Sequence, residues 1–127
     1  MFSIGKSTVS EFDFQNEFDF ERRAFESKKI SAKYPDRVPI ICEVLNSQRD
    51  KWSLDKKKYL TPADLTVGQF VYVIRKRMKL LPEEAIFVFT EQNAPPTTSK
   101  LLSVLHSECK NEDGFLYLHI GTENTFG

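Results

Sequence analysis

Two cysteines, Cys42 and Cys109, and two histidines, His106 and His119, are the residues that could supply a nucleophile and a base. Covalent catalysis needs one of each within hydrogen-bond reach, with the base oriented by a third group. No local nucleophile signature surrounds either cysteine. Cys42 falls in an apolar, β-branched stretch that reads as a buried strand, where cysteine is a small core residue, and the histidines read as partly exposed surface groups. The spacing holds no Cys-x-x-Cys or Cys/His cluster, which argues against a disulfide framework or a structural zinc site. The carboxylate pairs Glu83/Glu84 and Glu112/Asp113 fall at a helix start and a turn, which should leave them in solvent. There is no Gly-rich phosphate loop, and nothing calls for a cofactor or a metal. Enzyme chemistry is the least supported class.

Two other features carry chemistry of a different kind. Lys56, Lys57 and Lys58 lead into "YLTP". On an edge strand such lysines guard against edge-to-edge aggregation, or they attract acids flanking a peptide strand that adds to an edge left open; the residues alone leave the two readings even. The second feature is the ending, "GTENTFG", a polar tail after an apolar strand that closes on a glycine with no Cβ around its carboxylate.

The elements that must position these residues follow from periodicity and caps. Phe20, Ala24, Ser27 and Ile30 recur at helical spacing, with Asp19 able to cap the start and Pro35 following the end. "RVPIICEV" reads as a strand, "KKKYLTP" as a second strand with Tyr59 or Leu60 pointing inward, and "LNSQRDKWSLD" as the loop between them. In "LTVGQFVYVIRKRMKLL", Thr66 and Gln69 fit a capping box, and Val67, Phe70, Val71, Ile74 and Met78 share one face. Cations crowd its C-terminal turns. "AIFVFT" is a short buried strand, "SKLLSVLHSEC" a short helix, and "FLYLHI" a last strand. Two strands, a long helix and two more strands make a ubiquitin-like β-grasp of the α+β class, a four-stranded mixed sheet with a central helix and an N-terminal helical extension. The last strand is expected in the middle of the sheet, buried on both faces.

The 127 residues, 40% of them hydrophobic, suffice for one cored domain. The division expected is a partly ordered arm over 1–18, a ubiquitin-like domain with its N-terminal helix over 19–120, and a flexible tail over 121–127. The arm holds the repeat EFDF, at 11–14 and 17–20, whose phenylalanines are expected to pack on the domain. No apolar run approaches membrane-spanning length and no secretory signal is visible, so a cytoplasmic protein is expected. Net charge is zero, yet residues 34–80 carry ten Lys/Arg against five Asp/Glu and residues 81–127 two against seven. A dipolar chain of this kind suits local acidic partners and argues against nucleic acid.

"KYPDRVPIICE", "DKKKYLTPADLTVGQFVYVIRKRM" and "DGFLYLHIGTENTFG" together resemble the autophagy ubiquitin-like modifier family, the one that includes GABARAP, over residues 19–127. The resemblance implies conjugation through Gly127 to phosphatidylethanolamine, by ATP-dependent activating and carrier enzymes, with Phe126 as the grip before it. It also implies a deconjugating cysteine protease and residence on autophagosomal membranes when lipidated. The two acyl chains of such a lipid would hold a protein to a bilayer, at about 0.8 kcal/mol per buried CH₂. A second implied activity is the recruitment of cargo receptors and machinery through short aromatic-x-x-aliphatic peptides. By that resemblance Glu26, Ile30, Pro39, Lys58, Leu60 and Phe115 line the aromatic pocket. Tyr59, Thr61, Pro62, Leu65, Phe70 and Val73 line the aliphatic one, and Arg37, Lys56 and Arg77 meet flanking acids. The competing reading is an unconjugated ubiquitin-like interaction module in vesicle trafficking or microtubule binding.

Three departures from the family pattern stand out. Thr61 replaces an aliphatic residue, usually valine, and should make the second pocket more polar. The loop carrying Trp52 is about one residue longer than in GABARAP-like members. The EFDF arm is longer than usual, and one hypothesis is that it lies over the basic binding face and competes with peptides.

Overall fold

The computed structural model of the chain describes residues 9–121. Helix α1 spans Asp13–Glu17 and α2 spans Phe20–Lys33; strand β1 is Arg37–Val44 and β2 is Lys58–Pro62. Helix α3 follows at Val67–Met78, β3 at Phe87–Thr90, α4 at Leu102–Cys109 and β4 at Leu116–Gly121. Local chemistry sets the boundaries. The Asp19 carboxylate accepts from the Arg22 amide at 2.9 Å and starts α2; Tyr34, next to a proline, ends it. At α3 the Gln69 amide donates to Thr66 Oγ1 at 3.1 Å while the Thr66 amide donates to Gln69 Oε1 at 2.9 Å, the reciprocal box anticipated from the sequence.

The four strands form one mixed sheet in the order β2-β1-β4-β3. β1 runs antiparallel to β2, with Pro39 opposite Leu60 and Ile41 opposite Lys58, and parallel to β4, with Cys42 opposite Leu118. β3 closes the other side antiparallel to β4. The last strand is therefore interior, as its unbroken apolar run requires, and all six of its residues are buried.

Alternation along the strands divides the interior into two layers. Val38, Ile40, Cys42 and Val44 of β1 and Leu116, Leu118 and Ile120 of β4 meet Val67, Phe70 and Ile74 of α3 and Leu102 and Leu105 of α4. Ile41 and Tyr117, on the opposite face, meet Phe12, Phe14 and Phe115, with Phe18 and Ile30 packed against them. The arm thus contributes two phenylalanines, each 3% exposed, and burying each ring stabilises the fold by about 2 kcal/mol. Trp52, in the polar loop, is also drawn into the main core at 7% exposure. The second strand begins at Lys58, so Lys56 and Lys57 precede it.

Two side-chain expectations are corrected. His119 is not a surface group: it is 2% exposed and stacks on Phe12 with ring centroids 3.7 Å apart, because α1 covers that face of β4. Asp113 is not solvated with its neighbour Glu112. It is 2% exposed and accepts from Arg23 Nη1 at 2.5 Å, Tyr117 Oη at 2.6 Å and the Phe115 amide at 2.8 Å, tying α2 to the start of β4. Its backbone carbonyl accepts from Ser27 Oγ. Gly114 follows at φ 98°, where a Cβ would be strained and would collide with Ser27 Oγ.

Candidate functional site

β2 is an edge strand, and its alternation faces two different helices. Lys58 and Leu60 lie on the α2 side; Tyr59 and Thr61, both buried, point to the α3 side. On the α2 side, Glu26 and Ile30 are four residues apart and so share one helix face. The Glu26 carboxylate takes an ion pair from the Lys58 ammonium, and Ile30 lines a groove with residues 56–60. Pro39 lies opposite Leu60 on the neighbouring strand, and Phe115 is fully buried at the head of β4. The six residues expected at an aromatic pocket therefore come from α2, β1, β2 and the turn before β4.

The residues expected at an aliphatic pocket sit on the other side. Tyr59 meets Phe70 edge-on at 5.6 Å. Leu65 and Val73 line a concavity with Gln69 and Tyr72, Val73 being 42% exposed, while Pro62 ends β2 at the surface. Thr61 is 8% exposed, and its hydroxyl has no hydrogen-bond partner among the described residues.

The three cations expected to meet acids do not form one cluster. Arg37 lies at the start of β1 opposite Pro62 and donates to the Leu60 carbonyl at 3.5 Å. Lys56 and Arg77 gather at the other end of β2, over the Tyr59 ring at 5.3 and 6.0 Å. Arg77 is also bonded to both carboxylate oxygens of Asp55, at 3.1 and 3.2 Å. The Tyr59 hydroxyl donates to the Lys56 carbonyl at 2.7 Å, and burial pushes its phenol pKa up. Gly127 and Phe126 lie outside the described residues.

Thiol chemistry finds no support in this geometry. Burial, and then the adjacent Glu43, push the Cys42 thiol well above its ordinary pKa. Cys42 faces the α3 layer whereas His119 faces α1, so the sheet separates them. His106 Nε2 lies 2.8 Å from the Gly114 carbonyl oxygen.

Sequence reasoning passed over Glu43. Its carboxylate, 4% exposed as a residue, accepts from the Asp13 amide at 2.8 Å and the Phe14 amide at 3.0 Å, and takes an ion pair from Arg49 at 3.2 Å. An acid inside the otherwise apolar run "RVPIICEV" was the available signal, since such a group must find donors when buried. The described part of the arm consequently packs on the α2 face of the sheet, meeting the basic edge where the Lys58 ammonium lies over the Phe14 ring at 5.6 Å.

Comparison with known proteins gives a consistent result. A family model described as "Autophagy protein Atg8 ubiquitin like" matches residues 22–127. Autophagy-related protein 8 of Schizosaccharomyces pombe is 57% identical over 114 residues, covering 90% of this chain and 93% of that protein. Autophagy-related protein 8 of Mycosarcoma maydis is 56% identical over 114 residues, covering 90% of this chain and 95% of that one. Among solved structures, the crystal structure of Trypanosoma brucei ATG8 matches with a TM-score of 0.81 at 40% identity, over 90% of this chain and 97% of that chain.

Proposed function

The chain belongs to the Atg8 family of ubiquitin-like autophagy proteins, and from that premise we propose that it is a modifier conjugated through Gly127 to phosphatidylethanolamine which, once on autophagosomal membranes, recruits receptors by adding their peptides to β2. The family is one of modifiers rather than enzymes. The observation that carries the recruitment half is the alternation at the open edge. Successive side chains of a strand point to opposite faces, so residues three apart point to opposite sides. A peptide strand laid along β2 with its aromatic turned toward Ile30 and Leu60 would turn a residue three positions later toward Leu65 and Val73. An aromatic-x-x-aliphatic spacing fits two grooves on opposite sides of one edge, and main-chain hydrogen bonds to β2 would supply the sequence-independent part of the affinity.

The conjugation half draws on the family and on the chemistry of the end. A glycine carboxylate admits enzymes that must close tightly around the carbonyl, and the strand before the tail is interior, with Ile120 paired to Val44 on one side and Val88 on the other and Gly121 paired to Phe87. Incubation with the family's activating and carrier enzymes, ATP and phosphatidylethanolamine vesicles should yield a product heavier by one lipid minus water in intact mass spectrometry. Persistence of that product in the Gly127→Ala variant would sink the assignment. For recruitment, an acidic peptide carrying Trp-x-x-Leu should bind and shift the amides of β2; binding that leaves β2 unperturbed would place the peptide elsewhere.

A further inference from the structure

The arm reaches the aromatic pocket from beneath. Phe14 is 3% exposed and packs edge-on against Phe115 at 5.4 Å, in the same cluster that Ile30 packs against. Its ring also carries the Lys58 ammonium at 5.6 Å, and that ammonium is paired in turn with Glu26. Of the six residues assigned to the pocket, Phe115 and Lys58 thus meet the Phe14 ring directly, and Glu26 is linked to it through Lys58. None of this depends on a ligand, because α1 is fixed separately. The Phe14 amide donates to Glu43 Oε2 at 3.0 Å, the Asp13 amide to Oε1 at 2.8 Å, and Asp13 pairs with Arg49 at 2.6 Å.

We propose that Phe14 is a specificity-determining residue of the aromatic pocket, its ring seating the Lys58 ammonium at the rim and backing Phe115 from below. The proposal rests on the peptide-strand reading of the β2 edge. Lysine is a flexible stem with a strongly hydrated charge, and left alone it samples many rotamers. An aromatic face on one side and a carboxylate on the other restrict it before any peptide arrives, so less ordering remains to be done on binding. The same ring limits how deep an incoming aromatic side chain can go. Fixing the lysine favours ligands with an acid beside the aromatic, and fixing the depth selects among aromatic side chains.

NMR titration of the full chain with three synthetic acidic peptides, carrying Trp-x-x-Leu, Trp-x-x-Ala and Ala-x-x-Leu, tests this. In the wild type the Lys58 side-chain methylene protons should be shifted upfield by the Phe14 ring. Phe14→Leu should abolish that shift and weaken both Trp peptides about three- to tenfold, leaving the Ala-x-x-Leu peptide within about twofold. Phe14→Tyr should restore both the shift and the affinity. Equal weakening of all three peptides would reduce Phe14 to a structural role, and unchanged Trp-peptide affinity in a folded Phe14→Leu protein would overturn the proposal, as would a wild-type Lys58 without the ring shift. Failure of the wild type to bind any Trp peptide would instead bring down the peptide reading itself, whatever the Lys58 resonances show.

Discussion

Against one face of the sheet, α3 and α4 pack chiefly aliphatic side chains, among them Ile74 and Leu102, both fully buried. Against the other face, α1 and α2 bring aromatic rings, Phe12, Phe14 and Phe115, with three buried ionisable groups beside them: Asp113, Glu43 and His119. The first layer is held by shape and apolar area, which tolerate small shifts and carry no directional demand. The second is held also by hydrogen bonds and ion pairs, some of them joining residues far apart in sequence, as with Phe14 to Glu43, 29 residues apart, and His119 to Glu11, 108 apart. Such contacts are costly to break and specify one placement of the helices. The lesson is that the face meeting α3 supplies stability in bulk, while the face meeting α1 and α2 fixes the position of the side chains that border the β2 edge.

The largest expected effect comes from attacking the first layer. Ile74→Ala removes a fully buried side chain and should cost about 4 kcal/mol in urea unfolding, lowering hydrogen-exchange protection throughout the sheet. Asp113→Asn attacks the second layer by leaving Arg23 without its carboxylate and should cost about 3 kcal/mol. Its exchange signature should differ, with α2 losing protection more than α3; a uniform loss would mean that the two layers unfold as one and that the contrast is only chemical.

His119 sharpens the comparison with pH. Burial lowers its pKa, opposed by the hydrogen bond to the Glu11 carbonyl and the charges of Glu43 and Glu11, with Arg49 adding to the lowering. The folded protein therefore prefers the neutral ring. Its contribution is fully present above the unfolded pKa near 6.5 and is lost as pH falls from there toward the lower folded value, at up to about 1.4 kcal/mol per pH unit. Relative to His119→Phe, which keeps the stack on Phe12 but cannot titrate, the wild type should lose urea midpoint between pH 7 and 5. Parallel curves for the two proteins would contradict this. The smallest effect is expected at Thr61. Its buried, unpartnered hydroxyl makes Thr61→Val favourable by about 1 kcal/mol, read as a higher Tm with the Trp-x-x-Leu affinity equal or improved.

The first layer was legible in the sequence because its signals are local. The Thr66–Gln69 box, the spacing of Val67, Phe70 and Ile74, and the unbroken run at β4 each need only a few residues of context, and the central place of the last strand followed from the β-grasp order of elements, with which that apolar run agrees. The second layer was not legible to the same degree. The EFDF phenylalanines were expected to pack on the domain, but which of them do so was not readable: Phe12 and Phe14 are buried and Phe20 is 45% exposed, a choice set by contacts with Phe115 and Tyr117, far later in the chain, that no local pattern encodes. Asp113 next to Gly114 reads as a turn, and it is one; its burial comes from Arg23, 90 residues earlier. At the candidate site, the sequence left either Tyr59 or Leu60 as the inward residue of β2, and the structure buries Tyr59; the tie between Arg77 and Asp55 was not readable, since it joins two segments 22 residues apart.

The interior position of β4 has a mechanical consequence. A pull on Gly121 along the strand axis meets the parallel ladder to β1 and the antiparallel ladder to β3 together, so their hydrogen bonds are loaded in shear and must stretch in concert rather than open one after another. Tension entering at that end reaches the β2 edge only after crossing β1. A protein tethered at its tail can be tugged while the edge two strands away keeps its shape.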